Sequence, residues 1–200
     1  MKVNLLMAMA AMVVFSSCIE KNDPVPKDDP INPMFIHIPD VNFEAQLIEK
    51  GIDSDGVVNH QLLNEDSDGV TVLDLTFQST DSEKKIADLT GIEAFQNLIS
   101  LSVEDNALTS ISLSTNSALK RLNLHGNMLA SIDLSANIAL TYLDAGFNEL
   151  DSIDPNSNIN LETIKLERNF IKAINVSRNV NLVELDLLFH SCPRRLKLTS

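Results

Sequence analysis

Between residues 99 and 182 the apolar and polar positions repeat four times with a period of 21 residues. The four copies read ISLSVEDNALTSISLSTNSAL, KRLNLHGNMLASIDLSANIAL, TYLDAGFNELDSIDPNSNINL and ETIKLERNFIKAINVSRNVNL. In the second copy Leu122-Asn123-Leu124 alternates apolar and polar residues, which predicts a short strand with one face buried. Leu129, Ile132, Leu134 and Leu140 then supply the remaining apolar positions of that copy. One asparagine column runs Asn106, Asn127, Asn148, Asn169, and a second runs Asn116, Asn137, Asn158, Asn179.

The asparagines have a physical reason. Asn127 stands where the chain must bend away from the strand. A buried bend leaves backbone N–H and C=O groups without partners, each costing about 1–3 kcal/mol. An inward amide carries two donors and an acceptor, so it can satisfy them. One coil cannot bury its own apolar set; stacked coils do so together. Self-similarity at this period, with L-x-L-x-x-N-x-L in the second copy and Val, Ala or Ile at some of its leucine positions in the others, matches the leucine-rich repeat pattern. The predicted fold is a repeat solenoid, a right-handed superhelix with short parallel strands on its concave face and a small N-terminal helical cap.

The cap is expected over residues 35–69. There Asp40 or Asn42 can open a helix, Phe43, Leu47 and Ile48 form its apolar stripe, and Gly51 can close it. Asp53-Ser54-Asp55-Gly56 and Asp66-Ser67-Asp68-Gly69 are identical tetrapeptides. The calcium-loop pattern needs a later glycine and a glutamate at its twelfth position, which neither has, so both read as Asx-type turns. Repeats are expected over residues 70–200. The first is longer, with its strand at Leu73-Asp74-Leu75 and a polar excursion over residues 76–85. Gly91 then permits a tight turn. At the other end, His190 takes a ladder-asparagine position and Cys192 a core position. Pro193-Arg194-Arg195 then breaks the pattern, Lys197 meets an apolar column, and no cap is recognisable.

Residues 1–18 read as a targeting segment: Lys2 gives a positive start, and the apolar run over residues 5–15 is too short to span a bilayer. Residues 19–34, with Pro24, Pro26, Pro30 and Pro33 among many charges, form a tether rather than a core. The formal net charge of −13 argues against nucleic acid, which needs a basic surface.

Phe15-Ser16-Ser17-Cys18 resembles the lipobox of bacterial lipoproteins, which implies lipidation of Cys18 and leaves Cys192 without a disulfide partner. Glu20 and Asp23 resemble the acidic export signal of Bacteroidetes-type surface lipoproteins. Asp151-Ser152-Ile153 matches the O-glycosylation pattern of exported proteins of that type. Ile38-Pro39-Asp40-Val41-Asn42-Phe43 resembles their cap helix, and the phrase IADLTGIEAFQNL over residues 86–98 resembles internalin-like leucine-rich repeats. Together these features resemble a Bacteroidetes-type surface lipoprotein with internalin-like leucine-rich repeats. That implies an outer-membrane, outward-facing protein held to the membrane by its lipid anchor only.

Function must then sit at positions the core does not dictate. Three outward columns lie on the strands: Ser100, Arg121, Tyr142, Thr163, Glu184; Ser102, Asn123, Asp144, Lys165, Asp186; and Glu104, His125, Gly146, Glu167, Leu188. The adjoining turn adds Asp105, Gly126, Phe147, Arg168 and Phe189. Among these Arg121, His125, Tyr142, Phe147 and Arg168 stand out, because arginine and aromatic residues are the usual interface anchors. Tyr142 and Phe147 can also stack on a sugar. A solvated strand face, with Phe147 tucked into its own turn, accounts for the same residues. Met128 and Phe170 mark a second exposed apolar spot.

No Gly-rich phosphate loop, G-x-S-x-G or H-E-x-x-H occurs, and His37, His60, His125 and His190 lack metal-ligand companions at suitable spacing. The expectation is a non-enzyme without cofactor or metal. Two functions fit: a surface-anchored binding or adhesion module that recognises a protein or glycan through its concave face, and a structural accessory of a cell-envelope assembly.

Overall fold

The computed structural model describes residues 34–188 and the backbone of 197–198, within a compact unit Asn32–Ser200. The targeting segment, Cys18, nearly all of the tether, Phe189, His190, Cys192 and Pro193-Arg194-Arg195 lie outside the described residues.

Strand β1 (Phe35–His37), helix α1 (Val41–Glu49), strand β2 (Gln61–Leu63) and helix α2 (Asn64–Asp68) build the cap. The repeats follow with β3 (Val72–Asp74), β4 (Ser100–Ser102), β5 (Arg121–Asn123), β6 (Tyr142–Asp144), β7 (Thr163–Lys165), β8 (Ala173–Ile174), β9 (Glu184–Asp186) and β10 (Lys197–Leu198). Strands β3, β4, β5, β6, β7 and β9 form one parallel sheet in chain order. Its central register is Leu73, Leu101, Leu122, Leu143, Ile164 and Leu185, and all but Leu185 are fully buried. This is the predicted leucine-rich-repeat solenoid. On the opposite side β8 pairs in parallel with β10, and Lys197 meets Ala173, 24 residues earlier. This step is 24 residues rather than 21, so Lys197 does not fall on the apolar column that a strict period of 21 assigns it; by register Leu198 stands opposite Ile174.

Both asparagine columns point inward. Asn127 Nδ2 donates to the carbonyls of Val103 (2.9 Å) and Leu124 (3.0 Å), and its Oδ1 accepts from the Leu108 N–H (3.0 Å). Asn148 and Asn169 repeat the pattern one and two coils on. In the second column only the donor half is used. Asn137 Nδ2 donates to Leu113 O (3.0 Å) and Asn116 O (2.9 Å), while its Oδ1 has no partner among the described residues. Each amide of that column thus joins its own coil to the preceding one.

The cap is tied down by two carboxylates. Asp40 is the N-cap of α1: its Oδ1 accepts from Asn42 N (2.8 Å) and Phe43 N (3.1 Å). Its Oδ2 reaches the first coil, accepting from Ala87 N (2.7 Å) and Asp88 N (3.0 Å). Glu44, fully buried, accepts from the backbone N–H groups of Asn59, His60 and Gln61. Phe43 and Leu47 bury the apolar stripe, and Gly51 leaves the helix at φ +67°.

Two features depart from expectation. Strands β1 and β2 pair antiparallel, although neither carries an alternation long enough to predict a strand. The second DSDG tetrapeptide ends a helical turn, α2, rather than forming an Asx turn; Ser67 there is buried and its hydroxyl donates to Asn64 O (2.8 Å). The first tetrapeptide is the expected turn, with Asp53 Oδ1 accepting from Asp55 N (3.3 Å) and Asp55 Oδ1 from Val57 N (2.7 Å). Asp66 Oδ2 links the two by accepting from Ser54 N (3.1 Å).

Asp53 itself is 4% exposed, and its Oδ2 has no partner among the described residues. Burial, together with the nearby carboxylates of Asp55, Glu44 and Asp66, pushes it up to about 6. A folded-state value above the unfolded one means the native state holds its proton longer. Stability is then gained as pH falls through about 6 and lost as pH rises, by on the order of 1–3 kcal/mol. Asp53→Asn is expected to raise the melting temperature at pH 7.5 and to flatten the stability profile between about pH 4 and 7 relative to the parent chain. Parallel profiles for the two proteins in urea titrations would contradict this.

Candidate functional site

Parallel strands lie about 4.8 Å apart, so residues of one column on neighbouring coils come within reach of each other. In the first column Arg121 stacks on Tyr142, with its Cζ 4.4 Å from the ring centre. From the second column Lys165 Nζ reaches the same ring at 5.8 Å. The Tyr142 phenol donates to Asp144 Oδ2 (3.3 Å), and burial together with that carboxylate pushes its pKa up, so it remains a donor. Asp144 is buried and its Oδ1 also accepts from Gly146 N (3.1 Å). The shared phenol, Glu184 and Asp144 likewise push Lys165 up and keep it cationic.

The third column forms a second cluster. His125 Nδ1 lies 3.8 Å from Glu104 Oε1 and 4.0 Å from Asp105 Oδ1, and its Nε2 lies 3.9 Å from Glu167 Oε1. Glu167 reaches His125 across Gly146, where an added Cβ would stand 2.6–2.8 Å from its carboxylate. The small residue thus opens the space that the acid occupies. Phe147 packs on His125 with ring centres 4.8 Å apart, and the Arg168 Cζ lies 5.2 Å from the Phe147 ring centre. The five candidate residues therefore form two adjoining groups, Arg121 with Tyr142 and His125 with Phe147 and Arg168.

Of the basic side chains among the described residues only His125 lies within 4.0 Å of a carboxylate. Arg121, Lys165 and Arg168 rest their charges on ring faces. The turn beside them carries backbone strain. The turn column Asp105, Gly126, Phe147, Arg168 is left-handed throughout, with φ of +60°, +70°, +54° and +58°. Glycine and aspartate tolerate that region; for a bulky residue it costs roughly 1–2 kcal/mol. Phe147, 44% exposed, is neither buried for packing nor relaxed in its backbone. The sequence offered the residue types of this column; it carried no signal of the strain, of Glu167 crossing Gly146, or of Lys165 joining Tyr142. Met128 and Phe170 are both exposed, with Glu149 between them in the column.

Among the described residues no group of three His, Cys, Asp or Glu is placed to hold a metal ion.

The chain is similar to the functional domain of InlJ from Listeria monocytogenes, which includes a cysteine ladder: TM-score 0.66, 30% identity, over 75% of this chain and 31% of that one. It is also similar to an internalin, InlF, from Listeria monocytogenes: TM-score 0.58, 22% identity, over 76% of this chain and 49% of that one. The chain thus spans less than half the length of either. No protein-family model and no curated protein matches it. The fold is a leucine-rich-repeat solenoid of the internalin type. Its interior ladder residues are asparagines.

The strain can be isolated from side-chain contacts by comparing glycine with alanine at one position. At Phe147 and at Arg168 the glycine variant is expected to be more stable than the alanine variant by about 1 kcal/mol, against the usual order. Equal stabilities, or alanine the more stable, would show that the turn is not held left-handed.

Proposed function

We propose that this chain is a non-catalytic recognition module that binds a protein through its concave sheet. The observation that carries the reading is the pair of cation–aromatic groups, Arg121–Tyr142–Lys165 and His125–Phe147–Arg168, in which Arg121, Phe147 and Arg168 are exposed and the other three half-buried. Aromatic and arginine side chains supply most of the binding energy in protein interfaces. Stacking on a ring pre-orders a guanidinium while leaving its N–H fork free for a partner's carboxylate or carbonyl. The likeness to internalins supports an interaction scaffold in general. A protein fits the face better than a glycan does, because cations or His125 already lie against the Tyr142 and Phe147 rings on which a sugar would stack.

A screen of the purified, monodisperse protein against protein and glycan arrays tests this. A saturable protein ligand is expected, weakened about tenfold or more by Tyr142→Ala or Arg121→Ala and unchanged by Lys172→Ala. Hits confined to glycans, or a ligand indifferent to both changes, would overturn it.

One feature favours the accessory reading. Among the described residues strand β9 is the last of the sheet, and Val183 and Leu188 beside it are 88% and 74% exposed. A strand edge with apolar neighbours pairs readily with another chain. Concentration-dependent self-association abolished by Val183→Lys would move the interaction from the concave face to this end.

Surface anchoring through a lipid on Cys18 is part of the proposal and rests on the lipobox-like run before it. No described helix is long and apolar enough to cross a membrane. Cys18→Ser is expected to move the protein from the membrane fraction to the soluble fraction; retention in the membrane would count against the anchor.

A further inference from the structure

We infer a second binding site, for a neutral, hydroxyl-rich ligand such as a mono- or disaccharide, in the hollow between helix α1 and the loop that follows β3. It does not rest on the concave-face reading.

The loop is an insertion. Leu73 and Leu101 stand in register 28 residues apart, whereas Leu101, Leu122, Leu143, Ile164 and Leu185 follow at 21, so the first coil carries 28 − 21 = 7 additional residues. Closing a coil does not require them. Insertions in repeat proteins map to loops on one face, often the one that binds. This insertion is fixed in place. Phe77 N donates to Glu104 O (2.9 Å) at its start, Asp81 caps a 3₁₀ turn at Ser82–Lys84, and Asn42 Nδ2 of α1 donates to Glu83 O (2.9 Å) and Lys85 O (3.0 Å). The hollow it leaves against α1 has a volume of about 530 Å³, within the range of small-molecule sites.

The lining selects the ligand class. Glu49 and Asp74 are matched by Lys50 and Lys84, so the four charges cancel. Hydrogen bonds from Thr76 and the charge of Lys50 lower the Asp74 pKa and keep it an ionised acceptor. An anion entering here meets two carboxylates, and a cation meets two ammonium groups. A hydroxyl both donates and accepts, so it is satisfied by either, and the side-chain amides of Gln46 and Gln78 offer the same pair of functions. Phe77 contributes an apolar patch to the wall, and because Lys85 Nζ already lies 5.0 Å from its ring centre, polar pairing rather than ring stacking selects the ligand. Alternating donors and acceptors suit the hydroxyl-bearing edges of a sugar ring.

The test is saturation-transfer NMR on the purified protein with glucose, galactose, mannose and N-acetylglucosamine, alone and as β-linked disaccharides. Saturable binding with a dissociation constant in the roughly millimolar range is expected for at least one of them. Asp74→Asn and Gln78→Ala should weaken it about fivefold or more. Gln46→Trp, which fills the hollow from an already half-buried helix position, should abolish it. Tyr142→Ala should leave it unchanged, which separates this site from the concave face. Preference for a disaccharide over its free monomers would point to a glycan chain as the source, and equal binding to free sugar. Absence of saturable binding by every sugar at about 50 mM overturns the inference. So does binding that survives Gln46→Trp, or saturable binding of inorganic phosphate in place of the sugars.

Discussion

The buried bend after each strand is the constraint on which the molecule depends. A three-residue strand cannot satisfy the backbone of the turn that leaves it, and the inner polar groups of that turn are buried. The inward asparagine resolves this in each coil. One Asn127 side chain serves carbonyls of Val103 and Leu124 and the N–H of Leu108, so it joins two coils as well as closing its own bend. The second column ties coils together at the return without closing a bend of its own: Asn137 donates to Leu113 and Asn116, both in the preceding coil. Because each amide must reach the coil before it, coils cannot slip relative to one another without unpairing buried groups, at about 1–3 kcal/mol each. The register of successive coils is thus enforced by hydrogen bonding as well as by packing of the leucines.

That registration decides what the concave face can present. Side chains of one column are brought together by strand pairing alone, whatever their chemistry. Arg121 meets Tyr142 because residue 121 pairs with residue 142, and the crossing of Glu167 to His125 requires that the intervening coil carry Gly146. The core asks nothing specific of these positions. Cations rest on ring faces without carboxylate partners, and Phe147 and Arg168 hold a left-handed backbone at a steric cost. The left-handed turn is imposed by the repeat in each of these coils, whereas bulky residues at Phe147 and Arg168 are not.

The repeats were readable from sequence because each column is dictated by the same slot in every coil. Four copies expose Leu, Ile and Asn positions that a single copy would hide. The cap helix was readable for a different reason, since Asp40, Phe43, Leu47 and Gly51 carry start, stripe and stop in one short span. The antiparallel pairing of β1 with β2 was not, because three residues give no usable alternation and the partner is fixed by Glu44 clasping the backbone of residues 59–61. Helix α2 was hidden by its DSDG ending, whose residue types suit an Asx turn equally well. At the site, residue types were legible but contacts were not. Lys165 lies in a different column from Tyr142, and its reach to the ring depends on side-chain direction. The seven added residues of the first coil were visible as length, whereas the hollow they form exists only once they fold against α1.

The central claim is that the ladder-fixed concave sheet presents one protein-binding surface made of two cation–aromatic groups. Amide hydrogen exchange on the protein with and without its protein ligand tests this most directly. The account predicts added protection over residues 121–125 and 142–147, with the convex turns and the cap unchanged. Protection confined to residues 183–188 or to the cap, with the strands β5 and β6 unaffected, would contradict it.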